Sequence, residues 1–315
     1  MDFLWDPFDA YTLPFAEWVT VAVDWLTTTF RPVFQAARWP VAHMLDGLQR
    51  ALMSVPQSAF LSCLFLVAWQ LANLRTALVC TSSLAFLGLI GVWQDTMTTL
   101  ALILTAVIFS VATGLPLGIV AGRSDRAEAL FRPILDVMQT LPAFVYLVPI
   151  VMLVGIGNVP GVMITIFFAL PPIIRLTSLG IRGVPESLVE AGYAFGSSDR
   201  QVLWKIQLPL AIRSIRAGIN QTLMMALAMV TFASMIAVQG LGLLVLRGIG
   251  RLDMGLAALG GIGIVVLAIV LDRLTQALAV ADRERRSWRH SGPIGAVMGL
   301  IDRRKSNRSK SGRVG

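Results

Sequence analysis

The sequence predicts an all-α polytopic membrane protein of about seven transmembrane helices, with its N-terminus outside and its C-terminus inside. Three observations carry this expectation. The 315 residues are 56% hydrophobic and 14% charged, against about 45–50% apolar and 25% charged in an average soluble domain. Apolar runs of about 20 residues, enough to cross ~30 Å of hydrocarbon at ~1.5 Å per residue, recur along the chain. The Lys and Arg residues gather on alternate connections between those runs, as they do on the cytoplasmic side of a bilayer.

Residues 1–53 come first, with Trp5, Trp18, Trp25 and Trp39 among Asp2, Asp6, Asp9, Glu17 and Asp24. Indole rings suit the headgroup zone, so this stretch is expected to be an external, interfacial amphipathic segment. It lacks the basic start and apolar core of a cleavable signal and is expected to stay on the mature protein. Two accessory spans, 54–73 and 76–93, follow within residues 54–96. The core, 97–280, supplies five more: 97–121, 134–157, 161–180, 212–238 and 254–278. Pro171-Pro172 should kink or end the fifth span. Cys63 and Cys80 lie in apolar runs and are expected to be small buried hydrophobes. Gly114, Gly118 and Gly122 form a small-xxx-small ridge that should pack closely against another helix, in this chain or another.

Counting back from an internal C-terminus places 181–211, 122–133 and Arg75 in the cytoplasm. All but five of the 26 Lys and Arg residues then fall on that side; Arg31, Arg38, Arg50, Arg247 and Arg251 do not. The tail, 281–315, is strongly basic and is expected to lie on anionic lipid headgroups rather than on nucleic acid. Gly240, Gly242, Gly248 and Gly250 surround Arg247, Arg251 and Asp253 outside. This external loop is either a contact for a partner or a plain turn-rich connection.

The loop 181–211 is long for this chain, and long ordered loops tend to be functional. Pro185 and Glu186 suit the first turn of a helix over about 185–195. Gly196 breaks that helix, and Ser197, Ser198 and Asp199 offer caps for a second one over about 200–206. The prediction is a projecting helix-turn-helix with Leu188, Ala191, Phe195, Leu203 and Trp204 as contact groups.

The spacing Glu190-Ala191-Gly192, three residues, Gly196, nine residues, Ile206, one residue, Leu208-Pro209 resembles the loop of ABC importer permeases. Gly192 departs from it, standing where the family has a second Ala; an exposed Gly there would loosen the helix by about 1 kcal/mol. Further matches are Arg132-Pro-Ile-Leu-Asp136-Val-Met-Gln139-Thr140-Leu-Pro142, Gly155-Ile-Gly157-Asn158, Asn220-Gln221-Thr222 and Leu246-Arg247-Gly248-Ile-Gly250-Arg251. Over about 95–280 the chain resembles permeases of proline/glycine-betaine (ProU-type) importers, within the binding-protein-dependent inner-membrane component family. The resemblance implies a type I ABC importer core in a bacterial inner membrane and import of quaternary or trimethylated ammonium solutes. It implies an ATPase subunit holding ATP and Mg, an extracytoplasmic binding protein and a second permease copy, with no cofactor on this chain. It also implies that Glu190, Ala191, Gly192, Gly196, Ile206, Leu208 and Pro209 couple to the ATPase.

Polar residues in spans are the candidates for a translocation pathway, since a polar group in lipid is costly and faces a cavity or another helix. They are Gln139, Thr140, Asn158, Asn220, Gln221, Thr222, Ser234 and Gln239, with Phe144, Tyr146 and Phe232 as aromatic neighbours. Interhelical hydrogen bonding is the equal alternative for each. Asp136 is expected to meet Arg132, four residues back. The only lysines are Lys205, Lys305 and Lys310, and none completes a phosphate-binding Gly-x-x-x-x-Gly-Lys-Ser/Thr loop. The rival reading is a secondary transporter or channel working without an ATPase, for which ion-coupling carboxylates or repeated halves would be the sign.

Overall fold

A computed structural model describes residues 13–280, and every regular element among them is helical. The basic tail and residues 1–12 fall outside this range, and so do the expectations placed on them. Three helices make the centre: α4 (Trp93–Arg123), α7 (Asn158–Arg182) and α10 (Leu208–Ala233). Lipid tails are as apolar as the helices, so close van der Waals approach must hold them together, and small residues permit it. The ridge Gly114, Gly118, Gly122 of α4 lies against α7 of the same chain. A Cβ added at these three would sit 2.4 Å from Ile173, 2.6 Å from Thr177 and 2.9 Å from Ile181. On the other flank of α7, Gly180 receives Ser214 and Ala211 of α10. α7 runs through Pro171-Pro172 as one helix of 25 residues, so the prolines, expected to kink or end the span, do not end it. Both rings are buried between the neighbours.

The remaining helices wrap this centre. α1 (Phe15–Ser54) is one helix of 40 residues that contains Pro32 and Pro40. Its first half is largely exposed, while Val41 (4% exposed) and Leu45 (1%) are part of the main core. The segment expected to stay at the interface up to residue 53 is therefore packed into the bundle over its last turns. α2 (Gln57–Leu71) leaves α1 at 103° after Val55-Pro56. Asn73 caps α3 (Leu74–Leu89) by accepting the Thr76 amide at 2.9 Å. This pair leans on α12 (Met254–Val280). Cys80 is buried on α3, whereas Cys63, expected inside, is exposed on α2.

The run expected as a single span over 134–157 is broken instead. α5 (Asp125–Thr140) ends at Leu141, which is extended, and the chain turns by 105° before Ala143–Val154. Pro142 explains the break, because the residue before a proline is pushed out of the helical region. The turn continues as a short 3₁₀ segment, Ala143–Tyr146, into α6 (Leu147–Val154). In all, α4, α7, the run Asp199–Ile236 and α12 are each long and apolar enough to cross a membrane. The two bent pairs pass the same test jointly, and α3, at 16 residues, is apolar but short.

α5 is bound to the lower half of α7 by charge. Asp136 pairs with Arg175, not with Arg132, which lies on its own helix. Ser178 donates to Glu128 at 2.8 Å, and Arg182 reaches Asp125 at 2.6 Å and the Ala121 carbonyl at 2.8 Å. The two Arg–Asp pairs are largely exposed, so each contributes about 0–1 kcal/mol and chiefly sets register, whereas Ser178 is buried against the half-buried Glu128.

Candidate functional site

The loop 181–211 is built from local signals. α8 (Glu186–Ala194) begins after Pro185 and ends in a Schellman turn. There the Gly196 amide donates to the Tyr193 carbonyl at 2.8 Å and the Ser197 amide to the Gly192 carbonyl at 3.0 Å. Gly196 has φ +79°, a conformation that costs a side chain dearly. Ser198 then caps α9 (Asp199–Val202) in a reciprocal box with Gln201.

The second short helix expected over 200–206 is not a separate element. α9 passes through a π-helical turn, Leu203–Gln207, straight into α10, giving one continuous run over Asp199–Ile236. Pro209 accounts for the turn. Its ring would clash with the Lys205 carbonyl in a regular helix, and a wider turn relieves that. The loop is thus one short helix folded back on the base of a long one. Tyr193 donates to Asp199 at 3.0 Å across the fold, and this bond holds its phenol above its ordinary pKa range, hence protonated. Arg123, at the foot of α4, faces the same carboxylate at 3.9 Å.

Exposure sorts the predicted docking residues. Glu190, Ala191, Gly196 and Pro209 are exposed, and Ile206 and Leu208 are half-buried. Gly192 is buried, which corrects the expectation of an exposed, loosening glycine. A Cβ there would lie 2.6 Å from the Ile206 side chain, so the glycine is a seat for Ile206. Leu203, expected outside, is 7% exposed and belongs to a small core with Ile173, Ile181, Ala211 and Ile215. Phe195 (90% exposed), Trp204 (61%) and Leu188 (45%) form the outward apolar surface. Gly196→Val should therefore distort the turn. Limited proteolysis between residues 190 and 200 should quicken severalfold while the Tm of the spans stays put.

The predicted pathway residues divide into two groups. Five are taken up by structure. Tyr146 donates to the Met138 carbonyl at 2.9 Å, and Asn158 accepts the Gln239 amide at 2.8 Å. Asn220 accepts from Thr275 at 2.7 Å and faces Asp272 on α12. Ser234 is buried and bonded to the Val230 carbonyl, and Thr222 is fully buried with no hydrogen-bond partner. The others remain open. Gln139, Thr140 and Phe144 lie around the break in the bent span, and Gln221 is exposed on α10 with Met224, Phe232 and Met235 further along. Gln239 is exposed beyond them, although its amide is held by Asn158. The segment Ala143–Tyr146 touches α10, which brings the break in the bent span against the helix that carries Gln221.

Two features escaped sequence reasoning, the α5–α7 charge ladder and Asp272. The ladder had a signal, since Arg175 and Arg182 are two helical turns apart on the face that α5 meets. Asp272 had none.

Helices long and apolar enough to cross a membrane mark a polytopic membrane protein, and the sequence family makes it a transport component. The chain belongs to the family of binding-protein-dependent transport system inner membrane components, whose model matches residues 114–281. It is 58% identical to the glycine betaine/proline betaine transport system permease protein ProW of Escherichia coli (strain K12), over 93% of this chain and 83% of that protein. It is 42% identical to the glycine betaine transport system permease protein OpuAB of Bacillus subtilis (strain 168), over 87% of this chain and 97% of that one. Its fold is similar to the inward-facing MetNI methionine ABC transporter, at a TM-score of 0.52 and 22% identity over 64% of this chain and 96% of that one. The chain is thus a multi-pass inner-membrane component of a transport system.

Proposed function

We propose that this chain is the permease of an ATP-driven importer for quaternary or trimethylated ammonium solutes. The observation that carries the ATP-driven part is the loop, a short rigid helix fixed to a long span and ending in an exposed Phe195. Such an element passes a rigid-body shift into the spans when a docked partner moves. ATP and Mg sit on that partner, a separate ATPase subunit, and this chain performs no hydrolysis itself. Glu190, Ala191, Gly196 and Pro209 belong to the docking surface, and Gly192, Ile206 and Leu208 support it from beneath.

The solute class rests on the relatives. Their names specify glycine betaine, proline betaine, carnitine, choline and trimethylamine N-oxide. All but proline betaine, whose nitrogen is dimethylated and quaternary, carry three methyl groups on one nitrogen. An exported binding protein selects the solute, and the permease offers a weak path that includes the exposed Gln139, Phe144 and Gln221. A second copy of this chain completes the pathway. The first half of α1, with Trp18 and Trp25 exposed and Trp39 exposed just beyond it, lies at the membrane interface.

Transport proceeds by alternating access, and moving a two-state balance from 1:99 to 99:1 needs about 5.5 kcal/mol of differential interaction. Nucleotides and the docked binding protein supply it together. Proteoliposomes holding this permease and its ATPase should accumulate labelled glycine betaine only with ATP inside and binding protein outside. Uptake without the ATPase would instead establish a secondary transporter.

A further inference from the structure

One helical run, Asp199–Ile236, passes from the loop through α10 to the opposite end of the molecule. Its 38 residues make a rod of roughly 57 Å at ~1.5 Å per residue. After Pro209, at its base, the run holds no further proline, the commonest cause of a kink. At the far end Ser234–Ile236 tighten to a 3₁₀ turn, and Ala237, at φ 60° and ψ 30°, takes the left-handed conformation. Residues 237–240 then lead into α11 (Leu241–Arg251).

This short crossing is pinned on both sides. Toward α7, the Gly157 amide donates to the Ile236 carbonyl at 3.2 Å, and the Gln239 amide donates to the Asn158 side-chain oxygen at 2.8 Å. Val238, 1% exposed, is seated against Gly161, where an added Cβ would run into its side chain. Toward α4, the Leu241 amide donates to the Thr99 hydroxyl at 2.9 Å, and Gly240, at φ 112°, closes on the same residue. Asn158 is the first residue of α7, and its side chain reaches a backbone amide 81 residues away. Among the described residues, this is the one side-chain hydrogen bond from α7 to the crossing. A left-handed backbone is costly for a residue with a Cβ, and the exposed Ala237 gains no burial in return. The bonds on either side hold it there.

We infer, on the importer reading, that Asn158 is a positioning residue for transport, a latch between α7 and the far end of α10 that must open when the loop moves. A shift of the loop enters the rod at Asp199. An unbroken helix carries it to Ile236, so the far end either moves against α7 or holds the loop still. The latch ties a strained turn to α7, and opening it lets Ala237 relax, which shifts the balance toward the unlatched state. The rival role for Asn158 is lining the solute path. Its oxygen is already occupied by the Gln239 amide, and the exposed side chain at this crossing is that of Gln239, which takes no part in the latch.

ATP hydrolysis by the complete reconstituted complex without binding protein reads the latch, because it reports how often the complex leaves its resting state unaided. Asn158→Ala should raise that basal rate roughly two- to tenfold, the effect of losing one ordinary hydrogen bond. The solute concentration giving half-maximal uptake should stay unchanged. Asn158→Ser, too short to reach the Gln239 amide, is a second release variant and should act alike. Asn158→Asp keeps an acceptor in place and Gln239→Ala keeps the amide, so both should hydrolyse at the wild-type basal rate. A wild-type basal rate in the alanine and serine variants would overturn the proposal, and so would an equal rise in Asn158→Asp. A raised half-maximal solute concentration at an unchanged basal rate would make Asn158 a lining residue and overturn it too. If the wild-type complex takes up no glycine betaine with ATP inside and binding protein outside, the importer reading itself falls, and the latch with it.

Discussion

Gly118→Val is expected to abolish the folded permease. The added Cβ would lie 2.6 Å from the Thr177 Cβ and 2.8 Å from the Ile174 carbonyl oxygen, in the middle of the α4–α7 contact. Overpacking costs about 1–3 kcal/mol where side chains can yield. Here part of the wall is backbone, so the helices must separate instead of repacking, and the cost reaches or passes the upper end of that range. Separation would also pull Gly114 and Gly122 from Ile173 and Ile181, since all three contacts share one axis. The variant should lose its monodisperse peak on size exclusion in detergent, or melt many degrees below wild type. Gly261→Ala is the matched comparison. Nothing lies within 4 Å of a Cβ there, and α12 should gain up to about 1 kcal/mol of helix propensity. If Gly118→Val melts with wild type, the close approach of α4 and α7 is not what holds the core.

That contact also shows what a sequence of this kind discloses. The glycine ridge was legible because small residues four apart have one purpose in a membrane helix, but its partner was not. The loop was legible almost residue by residue, since caps, a left-handed glycine and a proline act locally. Local rules misjudged what lay across the fold, namely Gly192 beneath Ile206 and Leu203 in the small core, and also missed that the second short helix runs through a π-helical turn into α10. Polar residues in the spans were the hardest to assign. Asn158 meets a backbone amide 81 residues away, and Asn220 meets Thr275, 55 residues on. Interhelical bonding and pathway lining look alike until those partners are known. Asp136 illustrates the same limit, since a plausible partner one turn away lost to Arg175, 39 residues distant.

Phe195 gives the sharpest test of the loop, because docking and support make opposite demands on it. At 90% exposure it contributes almost nothing to the fold of this chain. Phe195→Ala should therefore leave the Tm within about 1 °C, as surface substitutions usually change stability by less than ~0.5 kcal/mol. An aromatic anchor in a partner's cleft is another matter. Its loss costs about 2 kcal/mol or more, so affinity for the ATPase subunit should fall roughly 30-fold. Uptake should fall with it at limiting ATPase and recover in part when the ATPase is supplied in excess. Leu203→Ala should show the reverse pattern. That side chain is 7% exposed beneath the loop, so its removal should cost about 2–5 kcal/mol of stability while leaving the outward surface chemically intact. A Phe195→Ala permease that binds its ATPase as tightly as wild type would shift the docking surface to Trp204 and Leu188. The left-handed turn at Gly196 would then serve to redirect the chain toward α10, with no part in presenting Phe195.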